Sequence, residues 1–394
     1  MTTNDAKPRL SFGKAVSTGG NEPSGVRITD LTVTLFDWQG IPSIRYGDRN
    51  PLTRSSSELG LVTLQTDAGV EGHAFLGSSI RGARLDVVAL IRNLKPIIVG
   101  RDPMQRELLW EELHKLQRAA TMRTIGAVDV ALWDLAGKLA GLPVSRLLGR
   151  YRDRIPAYAS SATLPRPEDY ADEARAIAEA GYVGYKLHPP KDLATAIEAC
   201  RAARRAVGES FVLMADTGGV YDYTEALRLG RVLEELDFLW YEDPLPEDDI
   251  YNSAKLRQKL AIPIMATEYS PGGFHAFAPW ILAGATDYLR GDVAVKGGLT
   301  GIMKSAILAD GFRMKFEIHH GGNSLNNVAQ LHAALSMRNT TYFEVLLPDS
   351  AQKYAVLDDL SIGPDGCIGA LEGPGLGVAL DFDLIRSKTV EVLS

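Results

Sequence analysis

The sequence predicts an α/β protein: a parallel barrel of eight β/α units preceded by a smaller α+β unit. Three observations lead there. Beyond about residue 155, short apolar strands alternate with helical stretches, and eight such strands recur at intervals of roughly 24–29 residues. Before residue 150 the order differs, with strands first and helices after. No Gly-rich turn of the form G-x-G-x-x-G follows the first barrel strand, which disfavours an open doubly wound sheet.

Taken in order, residues 1–26 are rich in Gly, Ser, Thr and Pro, lack the apolar core of a secretory signal, and read as a flexible leader. Residues 27–150 form the α+β unit. "VRITDLTVTLFDW" and "ELGLVTLQT" alternate as half-buried strands do, and Asp67-Ala68-Gly69 turns the chain into "VEGHAFLG". Three helical patterns follow, the last of them "TIGAVDVALWDLAGKLAG", with Gly141 and then Pro143 as its stop. Residues 151–365 hold the barrel strands "IPAYAS", "GYKLH", "FVLMAD", "FLWYED", "IPIMATE", "DYLRGD", "MKFEIH" and "TYFEVLL". Residues 366–394 form a C-terminal segment.

Composition narrows the function classes. Of the 394 residues, 45% are apolar and 23% charged, a globular balance, and the length suits two domains. A net charge of −7 argues against a nucleic-acid surface, and no apolar run reaches the length of a membrane span. Cys200 and Cys367 lie far apart without metal or redox spacing. A cytoplasmic protein with neither nucleic-acid nor membrane partner is the expectation.

The polar residues at the strand ends then carry the chemistry, because a (β/α)8 barrel gathers them into one bowl. Asp216, Glu242 and Glu268 end three consecutive strands. Three carboxylates brought together repel unless a cation holds them, and all-oxygen ligation suits a hard divalent ion, Mg²⁺. Asp292 and His319 end the sixth and seventh strands, where a carboxylate on one imidazole nitrogen leaves the other free to move a proton. Lys186 and His188, two apart on one strand face, complete the set: the lysine to hold a substrate carboxylate, the histidine as a general base. Alternation turns Asp243 and His320 away from the bowl. His73, His114, His275 and His332 read as packing or loop residues, with His73 nearest to a rim position.

These residues resemble the enolase superfamily and, within it, the mandelate racemase subgroup, over nearly the whole chain from residue 27. "GVEGHAFLG" is similar to that subgroup's capping-domain hairpin, and "AVDVALWDLAGKLAGLPVSRLLG" to the helix leading into its barrel. "GDVAVKGGLTG" and "FEIHHGGNS" resemble the segments of its Asp–His dyad, which falls on Asp292 and His319. "IGPDGCIGALEGPGLGVALD" is similar to the segment that returns to the cap. The resemblance implies a modified (β/α)7β TIM barrel with an N-terminal α+β capping domain, one Mg²⁺ per subunit and a homo-oligomer. It also implies a shared first step, in which metal and lysine hold a carboxylate while a base removes the α proton and an enediolate develops. Glu344 matches the glutamate of the eighth strand, expected to donate a hydrogen bond in its protonated form.

One departure bears on the reaction. Where mandelate racemase has Lys-x-Lys, this chain has Lys186-Leu187-His188, which puts simple racemisation in doubt. The expected reaction is β-elimination of water from a small-molecule sugar acid, aldonate or aldarate, to a 2-keto-3-deoxy acid. The alternatives are racemase, epimerase or cycloisomerase chemistry, or a catalytically silent binding protein. Specificity is expected from the loops at 37–50, with Arg45 and Tyr46 as substrate-binding candidates, and at 76–82.

Overall fold

A computed structural model describes residues 25–394; the leader expected at 1–26 lies outside the described residues except for its last two. β1 (Ile28–Gln39), β2 (Ser56–Thr66) and β3 (Glu71–Leu76) form an antiparallel meander. Leu31, Val33, Leu35, Val62 and Leu64 are buried in its core. Helices at Arg84–Ala89 and Arg106–His114 follow, then the long helix Met122–Ala140. The Thr121 side chain caps that helix by accepting from Thr124 N, and Gly141 ends it at φ 66°, a conformation that favours glycine.

All eight expected barrel strands are present: β4 (Arg154–Ser160), β5 (Gly184–Leu187), β6 (Val212–Asp216), β7 (Tyr241–Glu242), β8 (Ile264–Ala266), β9 (Tyr288–Gly291), β10 (Lys315–Ile318) and β11 (Phe343–Leu346). They pair in parallel in the order β10-β9-β8-β7-β6-β5-β4-β11. Side chains bridge the remaining seam between β10 and β11. The Glu317 carboxylate accepts from Thr341 N and Tyr342 N, and Thr340 Oγ1 donates to Phe316 O. In the tail, β12 (Cys367–Gly369) pairs with β4, and β13 (Thr389–Leu393) joins the first sheet beside β1. Among the described residues no helix is long and apolar enough to cross a membrane.

Alternation along the strands stacks the barrel interior in layers. Tyr158, Met214, Trp240 and Met265 form an apolar plug with Tyr288 and Tyr342 against it. Two residues further along alternate strands come Lys186, Glu242, Arg290 and Glu344, each at most 1% exposed. The next step along the strands reaches His188 and Asp292, with Asp216 and His319 from the strands between them.

The helix at Met122–Ala140 holds the first sheet to the barrel by close approach. Asp134 on it accepts from His73 N and Leu376 N, both at 2.8 Å. Asp129 accepts from Thr300 N and Thr300 Oγ1 at 2.9 and 2.7 Å, satisfying the first turn of the barrel helix Gly298–Gly311. A Cβ on Gly126 would stand 2.3 Å from Val293 O. Gly126→Ala is therefore expected to force the two segments apart and to cost about 1–3 kcal/mol, read as a lower midpoint in urea unfolding. An unchanged midpoint would show that the helix shifts freely.

Burial pushes the Asp129 carboxyl up to about 7, despite the two Thr300 hydrogen bonds. The unfolded value is about 3.9, so folding favours the protonated form. Its contribution to stability is greatest below pH ~4, falls between ~4 and ~7, and is flat above. Relative to wild type, Asp129→Asn should be more stable at pH 8 than at pH 5. Equal differences at both values would contradict the assignment.

Candidate active site

The charged layer closes on itself. Lys186 Nζ lies 2.9 Å from Glu242 Oε2 and 2.8 Å from Glu344 Oε1, and Arg290 pairs with Glu242 through Nε and with Glu344 through Nη2. Cations and carboxylates thus alternate around a ring of four, one from every second strand. Trp240 Nε1 donates to Glu242 from the plug, and His320 N donates to Glu344. Arg290 was not anticipated. The available signal was its place two residues before Asp292, the same spacing that links Lys186 to His188.

Above the ring opens a cavity of about 490 Å³, lined by His188, Asp216, Asp243, Glu268, Asp292 and His319 among others. Oxygens of Asp216, Glu242 and Glu268 lie within 4.8 Å of one another. His188 Nδ1 is 2.7 Å from Ser161 O; a carbonyl only accepts, so this nitrogen carries the proton and Nε2 faces Asp216 Oδ2 at 3.1 Å. His319 Nδ1 meets Asp292 Oδ2 at 2.6 Å, and its Nε2 faces Glu268 Oε1 at 3.0 Å. The other Asp292 oxygen accepts from Ala294 N and Val295 N, which orients the carboxylate. Gln330 Nε2 donates to His319 O. All eight strand-end residues singled out from the sequence converge on this centre, five of them at the cavity and Lys186, Glu242 and Glu344 in the ring.

The electrostatics follow from crowding. Burial drives Glu268 well up, and Asp243, Asp216 and Glu242 add to it. Burial also raises Glu242 to about 7, against the pull of Arg290 and Lys186. Asp216 is buried too, but Lys186 and His188 hold it below the usual carboxylate range. Six buried carboxylates (Asp216, Glu242, Asp243, Glu268, Asp292 and Glu344) share the centre with three buried cationic side chains, Lys186, Arg290 and Lys296. Such a donor set, all oxygen and short of positive charge, fits a hard divalent ion.

Several expectations are corrected. Glu344 is not a protonated donor: burial favours the neutral form, but Arg290 and Lys186 outweigh it and keep the carboxylate ionised. Asp243 and His320 do not point away, since both line the cavity. β7 ends at Glu242 and β10 at Ile318, and Asp243 has φ 37°, so strand alternation no longer governs either residue. Arg45 pairs with Asp48 and does not line the cavity; Arg49, from the same loop, does, in an ion pair with Glu247. Tyr46 does line it, its hydroxyl donating to Leu347 O and its ring edge-on to His188. The 76–82 loop contributes Ser78, Ile80 and Arg81. His73 stays in the first sheet beside Thr63 and Phe382, and His332 bridges Ser145 N and Leu376 O.

Removing one member of the buried ring leaves the others uncompensated. Arg290→Met is expected to destabilise the protein by about 3–5 kcal/mol in chemical denaturation. A loss under about 1 kcal/mol would mean that the ring is not a closed ionic unit.

Comparison with known proteins agrees with this architecture. The family model described as Enolase C-terminal domain-like matches residues 169–384, and that for the Mandelate racemase / muconate lactonizing enzyme, N-terminal domain matches residues 50–149. The crystal structure of D-glucarate dehydratase from Agrobacterium tumefaciens complexed with magnesium is 32% identical. It superposes with a TM-score of 0.80 over 93% of this chain and 99% of its own. L-talarate/galactarate dehydratase of Salmonella typhimurium is 31% identical over 76% of this chain and 78% of its own. The 3,6-anhydro-alpha-L-galactonate cycloisomerase of Streptomyces coelicolor is 29% identical over 84% and 92%. With both parts of the chain matched in order, this protein belongs to the mandelate racemase/muconate lactonizing enzyme family of the enolase superfamily.

Proposed function

We propose that the protein is a Mg²⁺-dependent acid-sugar dehydratase acting on an aldonate or aldarate. One observation carries the reading: His188 and His319 come from strands well separated around the barrel, and both turn Nε2 toward the carboxylate centre, at Asp216 and Glu268 respectively. Two proton-active groups then flank one metal-holding site. The similarity to two sugar-acid dehydratases supports the same chemistry.

Asp216, Glu242 and Glu268 would hold the ion. Bound there, Mg²⁺ supplies positive charge against the substrate carboxylate as the α carbon loses its proton. The chain's own residues do the rest. One histidine takes the α proton on Nε2, and the C–H electrons pass into the carboxylate to give an enediolate. The other histidine protonates the β-hydroxyl as the C–O bond breaks, so water leaves and an enol remains. Protonation of the enol at C3 gives the 2-keto-3-deoxy acid. Asp292 stabilises the imidazolium form of His319, and Ser161 O fixes the orientation of His188. Lys186 lies 3.2 Å from Asp216 and adds positive field beside the carboxylate. The face bearing the α proton decides which histidine is base and which is acid.

In this reading residues 27–150 and the returning tail cap the bowl formed by 151–365, and loops 37–50 and 76–82 select the distal end of the sugar. The two unpaired cysteines are consistent with a cytoplasmic setting. Epimerisation or cycloisomerisation is the second reading, because it shares the first proton transfer and one relative is a cycloisomerase.

Incubating a panel of aldonates and aldarates with Mg²⁺ in D₂O, followed by proton NMR and a 2-keto-acid assay, separates these outcomes. Keto-acid formation is expected. Deuterium uptake with inversion and no keto acid would instead establish an epimerase, and absence of any exchange would remove the enzymatic reading. With the accepted substrate, His319→Ala should lower dehydration by roughly 100- to 10,000-fold; full activity in that variant would refute its role.

A further inference from the structure

By strand geometry Glu268 belongs on the outside of the barrel. Along β8, Met265 points inward and packs with Tyr158, Met214 and Trp240, whereas Ala266 packs outward with Trp280 and Ala285. Continued alternation turns Thr267 inward and Glu268 outward. Glu268 nevertheless lines the cavity, because Thr267 has φ 87°. This left-handed conformation suits glycine; a β-branched residue holds it only under constraint from its surroundings. One backbone rotation therefore re-aims the third carboxylate into the bowl.

Two groups supply the constraint. Thr267 Oγ1 accepts from Arg290 N at 3.2 Å, replacing a ladder bond at the point where β8 leaves β9. Lys296 Nζ donates to Thr267 O at 2.8 Å and to Ser270 O at 3.0 Å, spanning the turn that contains Glu268. Lys296 is 0% exposed, and burial pulls its ammonium down to about 8. Both hydrogen-bond acceptors are backbone carbonyls. Burying an ammonium without a paired carboxylate is unfavourable; here the two carbonyls, the Phe277 ring and the field of Asp292, Glu268 and Asp243 offset that cost, which fixes the ammonium in the turn. Gly291 leaves room for the lysine stem; a Cβ there would lie 2.7 Å from Lys296 Cγ.

We propose that Lys296 is a positioning residue for the metal centre: by clamping the carbonyls of Thr267 and Ser270 it keeps Thr267 left-handed and Glu268 turned inward. The inference rests on the reading of Asp216, Glu242 and Glu268 as metal ligands, but not on the reaction that follows. It also implies that glycine at 267, free to adopt φ near 87°, makes the lysine dispensable.

The test is Mg²⁺ binding by calorimetry to the full-length wild type, Lys296→Met and the double variant Thr267→Gly/Lys296→Met. Lys296→Met is expected to bind Mg²⁺ roughly 10- to 100-fold more weakly, and the double variant to return to within about threefold of wild type. A folded Lys296→Met protein with wild-type affinity overturns the proposal. So does a double variant no better than the single one, since the lysine would then act only by filling space. If Lys296→Met does not fold, the double variant decides alone: near-wild-type affinity upholds the proposal and weak binding overturns it. A wild type that binds no Mg²⁺ overturns both this inference and the metal-dependent reaction. Wild-type binding with unaffected variants overturns this inference only.

Discussion

Glu242 and Glu344 are buried in the barrel interior, where two bare carboxylates would not stay ionised. Lys186 and Arg290 make it possible by standing between them, so that opposite charges alternate around a closed ring. Its members come from every second strand, which is how barrel layers fill, and an aromatic plug shuts water out from one side. With both glutamates ionised the ring is neutral in sum. The residues just above it are not, because Asp216, Asp243, Glu268 and Asp292 bring four carboxylates against one buried cation, Lys296, while Arg49 and Arg123 in the cavity wall are paired with Glu247 and Asp86. The same arrangement that stabilises the floor of the bowl therefore creates a demand for positive charge at its mouth.

A short stretch of chain after β9 links that demand to the rest of the molecule. Asp292 orients His319, Val293 O meets the cap helix at Gly126, Lys296 grips the turn carrying Glu268, and Thr300 binds Asp129. The Asp292–His319 pair, the turn carrying Glu268 and the contact with the cap helix are thus held by about ten consecutive residues. A displacement of the cap helix would move Asp292 and the turn carrying Glu268 directly, without needing a long relay of side chains.

The walls of the bowl are less constrained than its floor. Arg49 and Arg123 line the cavity already paired with Glu247 and Asp86, while Arg81 lies over the Tyr269 ring. These residues come from loops or from the start of the cap helix rather than from barrel strands. They can change without disturbing the ring, so the wall of the cavity can vary while its floor stays fixed.

Much of this was written in the sequence. Eight apolar strands at regular spacing determined the barrel, and a period of two put Lys186 with His188 and Met214 with Asp216 on the inner face. Barrel closure then made neighbours of acids far apart in the chain, since strand ends meet whatever their separation. What sequence alone did not determine lies where that period fails or where a partner sits on another strand. Left-handed backbone at Asp243 and Thr267 re-aims the residues around it, and a strand ending at Ile318 releases His320 into the bowl. The ionised state of Glu344 comes from Arg290 and Lys186, on two other strands. The choice of Arg49 over Arg45 comes from the path of a loop that no periodicity describes. Periodic patterning is a local property of the chain, whereas a charge state or a re-aimed side chain depends on what the fold brings beside it.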